Sequence, residues 1–488
     1  MRRIRAGYLF WAGAVCVGAI LARLIAIDQP FIDSWSWRQA DVAAIARNYW
    51  QGGFHFAYPQ IDWAGPAAGY VGSEFPILPF LAAVSYLFTG VHEWIGRSES
   101  LLFFALSLPF FAGLVSDIFG KTASVWALIF YAFMPLSIMA SRSFIPDMPS
   151  LALCIVGLYC CRRWLQGADG KMFVAAALAI SLALLVKLPS AITGAPLACL
   201  VFERHGIDAF RRRSLWLLAA IVLVPSALWY WHAWRISRDF YPNHFFGAGG
   251  LQIMSLDWYW GIAKRIVDAN LTIVPIILAV AGLVIARKQN RSNFFEWWLG
   301  VMILFIIVVG YGNRHPWYQL PLVPVAAAFA GCAMARFTAI LQSRRMVFLA
   351  LGALILGCFA VQSYGALRYF YRPAAADLRN LGLALKSHTP PDSLVVIPDY
   401  GDPTALYYGE RKGWHFAEKN AIYNGHPRTS AEAIADLEQL RRRGATHIAF
   451  YSESIWWFEY YPEFAQHLDK ISTPIATTPA YHILELQR

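Results

Sequence analysis

Between two hydrophobic runs the chain reads Ser141-Arg142-Ser143-Phe144-Ile145-Pro146-Asp147, which places an arginine and a carboxylate together at the edge of apolar sequence. Charge at such a boundary is costly to place, and it is usually retained for a site. Other ionisable residues stand in similar positions. Asp33, Arg38 and Asp41 follow the first apolar run, Glu74 precedes the second, Lys187 ends a later one, and Arg314 and His315 precede another, with Tyr318 close behind. A carboxylate can take the proton of a hydroxyl, and lysine, arginine or histidine can stabilise a departing phosphate. Asp41, Asp33, Glu74 and Asp147 are candidates for the first role. Arg142, Lys187, Arg314 and His315 are candidates for the second, with Arg38 and Tyr318 beside them as binding residues. Each also has a plainer account: Asp147 as a helix-start carboxylate, Lys187 snorkelling to an interface, His315 in an aromatic belt.

The elements that must position these residues are hydrophobic. Of 488 residues, 58% are hydrophobic and only 15% charged, and apolar stretches of spanning length recur from the first residues to about Gly365. The pattern is that of a polytopic α-helical membrane protein. A net charge of +11 would fit nucleic acid, but the basic residues lie in short clusters between apolar runs and read as topology signals, so no nucleic-acid partner is expected. All seven cysteines fall within or beside apolar segments, which argues against disulfides and a Cys-ligated metal. No Gly-rich phosphate loop, His-Glu-x-x-His helix or Gly-x-Ser-x-Gly elbow is visible.

Leu9 to Ile27, preceded by Arg2, Arg3 and Arg5, reads as a retained first helix with a cytoplasmic N-terminus. Apolar runs follow near Phe75–Trp94, Leu101–Val115, Ala123–Ala140, Pro149–Cys161, Met172–Val186, Ser190–Phe202, Leu215–Trp234, Leu271–Ala286, Phe294–Gly310, Leu320–Ala335 and Val347–Gly365. The basic clusters near Lys121, Arg162, Arg211, Arg287 and Arg344 occupy alternate loops only if Phe75–Trp94 makes no net crossing, so that run is expected to be interfacial or re-entrant. About eleven crossings result, and an odd number places the C-terminus outside. Residues 1–370 form the membrane domain, with a large external loop at 28–75. Residues 371–488 turn soluble and read as a small α/β domain of about 115 residues, with helices at Ala374–Lys386 and Ser430–Arg443 and strands at Ser393–Pro398, Thr446–Tyr451 and Tyr481–Leu486.

This topology turns the loop holding Asp33, Arg38, Asp41 and Glu74 outward, together with Arg142, Asp147, Lys187, the Arg235–Leu271 loop and Asn313-Arg314-His315. Helical spacing puts Val42, Ile45, Ala46 and Tyr49 on one face and Arg38 next to Asp41, so residues 35–49 are expected as a helix on the outer membrane surface. A site on that face suits a substrate with a polar head and a tail in lipid, such as a polyprenyl-phosphate sugar; membrane lipids are the other expected contact.

In these features the chain resembles the membrane glycosyltransferases of the GT-C superfamily, especially the bacterial family 39 branch related to protein O-mannosyltransferases and the aminoarabinose transferase of lipid A. The matching stretches are Gly72-Ser73-Glu74-Phe75-Pro76, Arg142 to Asp147, Leu185-Val186-Lys187 and His315-Pro316-Trp317-Tyr318-Gln319-Leu320-Pro321-Leu322-Val323-Pro324. The resemblance spans nearly the whole length. It implies a GT-C fold and inverting transfer by a hexosyl- or pentosyltransferase, from a polyprenyl-phosphate-linked sugar to a glycolipid, glycan or protein acceptor at the periplasmic face of the bacterial inner membrane. It also implies external-loop acidic residues as catalytic. Many relatives open the first-loop helix with an Asp-Glu pair where this chain has Arg38-Gln39. Asp33 and Asp41 flank that position, and Asp41 is favoured as base because it sits on the helix itself. Glu74 matches a position that can bind a divalent metal in relatives, but no partner histidine stands out, so the resemblance allows a metal without requiring one. A transporter or flippase of a lipid-linked solute would show two similar halves and charges deep within spans, and a membrane-anchored sensor would depend on its external domain alone.

Overall fold

A computed structural model describes residues 2–246, 250–289, 291–419 and 422–487. The chain forms two compact units: Met1–Ile27 with Arg97–Trp229 and Gly247–Phe370, and Asp28–Gly96 with Tyr230–Phe246 and Tyr371–Arg488.

The first unit is helical, as its apolar runs require. Gly7–Leu24, Glu93–Phe119, Arg213–Asp239, Leu322–Ile340 and Arg345–Phe370 are each long and apolar enough to cross a membrane. Two bent pairs meet the same test together, Lys121–Phe133 with Pro135–Ser141 at 63° and Leu256–Asn270 with Ile273–Lys288 at 107°. This is a multi-pass membrane protein. The Ala123–Ala140 run is broken because Pro135 has no N–H to continue the ladder. Buried Arg23 braces the break, donating to the Ala132 carbonyl at 2.8 Å and to the Ser137 hydroxyl at 3.2 Å. The Met172–Phe202 stretch is two helices, Gly170–Val186 and Gly194–His205, joined by a 3₁₀ turn at Leu188–Thr193 where Pro189 interrupts them. The stretch expected as a loop from Arg235 to Leu271 is largely helical: Arg213–Asp239 runs past Arg235, and Leu256–Arg265 continues into a π turn. Residues 247–249 of that stretch lie outside the described residues.

In the second unit the Phe75–Trp94 run yields the helix Ile77–Thr89, whose 13 residues reach about 20 Å, short of a bilayer's ~30 Å hydrocarbon core. The C-terminal segment builds a five-stranded sheet in the order β2-β1-β5-β7-β6, from β1 (Leu394–Ile397), β2 (Lys412–His415), β5 (His447–Tyr451), β6 (Ser472–Thr477) and β7 (Tyr481–Leu486). A two-stranded pair, β3 (Glu418–Lys419) and β4 (Ile422–Tyr423), lies apart from it. β1 is parallel to both neighbours, whereas β5, β7 and β6 pair antiparallel. Apolar strand residues Val395, Ile397 and Ala449 share a core with Leu378, Leu381 and Leu385 from the Ala376–His388 helix and with Ile45, Tyr49 and Trp63 of the first loop.

That shared core is why the first loop belongs to this unit. The loop also caps the open edge of β2: Gly413 donates its N–H to the Asp62 carbonyl at 3.0 Å, and Gly65 donates to the Gly413 carbonyl at 2.8 Å. Only glycine fits at 413, because a Cβ there would lie 1.8 Å from the Val395 carbonyl oxygen. An edge strand covered in this way cannot pair with another chain.

Candidate active site

The Ser36–Gly52 helix carries most of the site. It begins after Asp33, whose Oδ1 accepts from the Trp35 N–H at 3.0 Å and from Gln39 at 2.9 Å, and it stops at Gly53 in the left-handed region. Val42, Ile45, Ala46 and Tyr49 are buried, as the apolar face predicts, but so are Arg38, Gln39, Asp41 and Arg47. The expected surface helix is therefore buried on most sides, packed against the Ile77–Thr89 and Thr404–Gly409 helices. Polar groups so enclosed need partners. Arg47 pairs with Asp62, and Ser36 donates its hydroxyl to Asp402 at 2.7 Å.

Asp41 and Arg38 are neighbours by helical spacing, and each also bonds to a residue from a later part of the loop. Arg38 reaches Glu74 at 2.8 Å, and Asp41 Oδ1 accepts from the Trp63 indole at 2.9 Å. The Trp63 ring lies 5.2 Å from His415 and 5.5 Å from His244. Behind His415 stands Asp399, with carboxylate oxygens 2.8 and 2.9 Å from Nδ1. Burial pushes the Asp41 carboxyl up to about 6, against the Trp63 hydrogen bond and the positive charges of Arg38 and His415. Burial works against a charged His415 ring, but Asp399, Asp41 and Asp402 outweigh it and raise its pKa. The arrangement sets a carboxyl whose pKa burial has raised to about 6 near an imidazole whose pKa its acidic neighbours raise.

Glu74 is equally enclosed. The Arg38 guanidinium that meets it lies over the Phe246 ring at 4.7 Å. His244 and Phe246 are held to the first loop by backbone bonds from the Gly72 N–H to the His244 carbonyl (2.9 Å) and from the Phe246 N–H to the Gly72 carbonyl (2.6 Å). A side chain at Gly72 would block this, since a Cβ would lie 2.3 Å from the Ala233 carbonyl oxygen. Burial, with Arg38 adding to it, brings His244 down to about 4, so its ring is neutral. A neutral imidazole and a carboxylate are metal donors in type, but among the described residues no three His, Cys, Asp or Glu side chains are grouped to hold an ion, and Arg38 engages the Glu74 carboxylate. The residues present do not fit a divalent metal at Glu74.

In the helical unit, Asp147 is the first residue of the Asp147–Leu165 helix and Lys187 follows the last residue of Gly170–Val186. They pair at 2.9 Å, each well placed against a helix dipole. The Lys187 ammonium also lies over the Tyr318 ring at 4.6 Å. With Ser150, Thr193 and Trp317 these residues line a small cavity of about 30 Å³. Ser190 and Thr193 also line a separate apolar groove of about 370 Å³ between Ile180 and Leu223. Arg142, fully buried, donates to the Ala26 carbonyl at 2.6 Å, while Asp147 pairs with Lys187. His315 stacks on Trp317 at 4.6 Å, and Arg314 lies over Tyr311 at 5.7 Å.

The structure thus joins Arg38 with Glu74, Asp41 with Trp63, and Asp147 with Lys187 and Tyr318. Sequence reasoning did not single out Trp63, His244, Asp399, Asp402 or His415. Asp399, just beyond β1, and His415, the last residue of β2, form a buried acid–imidazole pair, which no local spacing reveals.

Residues 73–232 match the family described as dolichyl-phosphate-mannose-protein mannosyltransferase. No curated protein sequence matches the chain. Over 97% of both chains the structure superposes on apo ArnT from Cupriavidus metallidurans, with TM-score 0.68 and 14% identity. ArnT bound to undecaprenyl phosphate gives the same score and identity over 98% of both. The chain has the GT-C fold. A second GT-C protein, the archaeal oligosaccharyltransferase AglB from Archaeoglobus fulgidus in complex with an inhibitory peptide and a dolichol-phosphate, matches with TM-score 0.59 and 13% identity over 97% of this chain and 74% of that one. The GT-C likeness covers the helices and the C-terminal sheet together.

Proposed function

We propose that this protein is a glycosyltransferase that moves a sugar from a polyprenyl-phosphate carrier to a hydroxyl of a glycolipid, glycan or protein, with Asp41 as the base. The observation that carries the reading is the buried Asp41 carboxyl, its Oδ1 2.9 Å from the Trp63 indole nitrogen and its pKa raised to about 6 by burial, with the His415 ring 5.2 Å from that indole. The acceptor oxygen attacks the anomeric carbon as the carbon–oxygen bond to phosphate breaks. The hydroxyl proton passes to Asp41, the bonding electrons leave with the polyprenyl phosphate, and the anomeric configuration inverts. A base with a pKa near the working pH combines a high ionised fraction with useful basicity. The fold is shared with proteins solved with undecaprenyl phosphate and with a dolichol-phosphate, which supports a lipid-phosphate donor. The direct test is mass spectrometry of envelope glycolipids and glycans with and without the protein.

The pH profile follows from the same group. Transfer per enzyme should rise with pH through about 6 as Asp41 ionises, then level off. Replacing His415 by Ala removes a charge that lowers the Asp41 pKa, so the rising limb should move to higher pH; an unmoved limb would count against Asp41 as the titrating base.

The apolar groove is the tail site in this reading. Its lining is mostly Leu, Ala, Val and Phe side chains, and its size lies within the roughly 300–1,000 Å³ of small-ligand pockets. Lys187 lines the small cavity that shares Ser190 and Thr193 with the groove. Filling the groove with Ala219→Trp should raise KM for a long-chain donor about tenfold or more, the equivalent of ~1.4 kcal/mol of lost contact, and leave a donor with a two-isoprene tail nearly unaffected. Equal effects on both donors would argue against the groove as tail site.

The membrane is read as the bacterial inner membrane, with the N-terminus cytoplasmic and residues 371–488 periplasmic, on the basic-cluster pattern. Alkaline phosphatase fused after the last strand should therefore be active, and an inactive fusion in a stably expressed protein would reverse the orientation.

A further inference from the structure

We propose that Arg38 takes the place of a divalent cation at Glu74, so that the chain compensates this buried carboxylate with its own guanidinium. Glu74 is only 6% exposed, and an enclosed carboxylate needs a positive partner. The resemblance allows a metal to be that partner. Here the partner is Arg38, at 2.8 Å from Oε1 and itself only 6% exposed.

The surroundings fit a guanidinium better than an ion. Arg38 is seated over Phe246, an apolar ring that offers a π face and no ligand atom. The nearby imidazole, His244, is buried and neutral, so with Glu74 it makes at most two donors, and no third His, Cys, Asp or Glu joins them among the described residues. A divalent ion brought to Glu74 would stand within a few ångströms of the fixed positive charge of Arg38 and be repelled by it.

The inference concerns the charge partner of Glu74, and its first test does not depend on the transfer reaction. Purified full-length protein is incubated with Zn²⁺ or Mn²⁺, dialysed, and assayed for bound metal by plasma mass spectrometry, alongside R38D, R38A and E74Q. The wild type should retain far less than one ion per chain, and R38D, which restores a carboxylate donor beside Glu74 and His244, should retain close to one. R38A, which only removes the repulsion, serves in place of R38D if that variant does not fold. Wild-type protein holding about one ion that E74Q releases would overturn the proposal, as would folded R38D and R38A that bind none. A second arm rests on the proposed function: wild-type transfer should be unchanged by EDTA. Loss of activity in EDTA with no metal bound to the wild type would place a metal requirement elsewhere than Glu74, whereas no transfer under any condition would count against the function and leave the metal result standing.

Discussion

Asp41→Asn should reduce transfer by roughly 10²–10⁴-fold, the range associated with a positioned general base, while the protein still folds. Asparagine keeps the shape of the side chain and an oxygen that can accept from the Trp63 indole, the bond now held at 2.9 Å. What it loses is the ability to take a proton. Because burial already holds the carboxyl near 6, the neutral replacement is compatible with its surroundings and folding should be little changed. The loss should therefore fall on kcat rather than on donor KM, a split that a merely structural residue would not give. Asp33→Asn is the control: Asp33 accepts from Trp35 and Gln39 at the helix start, so its replacement should disturb the loop and show first as lower thermal stability. If the Asp33 variant loses activity at full stability while Asp41→Asn retains it, the base is Asp33.

The second large effect is expected at Lys187. Lys187→Met leaves the Asp147 carboxylate, only 5% exposed, without its 2.9 Å ion-pair partner, and breaking a buried pair in this way costs about 3–5 kcal/mol. The chain should show a markedly lower unfolding midpoint. Replacing both partners, as Asp147→Leu with Lys187→Met, removes the two buried charges together, and much of the stability should return. Activity should not return with it if Lys187 also meets the donor phosphate. A double variant that recovers both stability and transfer would reduce the pair to a structural tie between two helix ends.

Much of the architecture was legible because it is periodic and local. Hydrophobic runs located the helices, although Ala123–Ala140, read as one run, is broken at Pro135, and short apolar runs in the C-terminal segment located β1, β5 and β7. β2 escaped because Lys-Gly-Trp-His has no strand alternation; its place is set by β1 on one side and residues 62–65 on the other. The site was partly legible for the same reason. Spacing put Arg38 and Asp41 side by side on a helix, but bonding is decided by what packs against that helix, and Glu74 and Trp63 arrive from a later part of the loop. The amphipathic pattern also suggested a helix lying on the membrane surface, whereas the Thr404–Gly409 helix, hundreds of residues away in sequence, packs against it. His415 and Asp399 were invisible for a related reason: each is an ordinary residue at or just beyond a strand end until the sheet brings them within 2.8 Å.

The most direct test of the account is the profile of envelope glycolipids and glycans, read by mass spectrometry, from cells with the wild-type chain, without it, and with the Asp41→Asn chain at equal abundance. The account predicts a species carrying one additional sugar in the wild type that disappears in the other two, together with accumulation of the sugar-loaded polyprenyl phosphate. A profile in which Asp41→Asn cells match the wild type while cells lacking the chain differ would contradict the assignment of Asp41, and a profile unchanged across all three, with the loaded carrier present, would contradict glycosyl transfer itself.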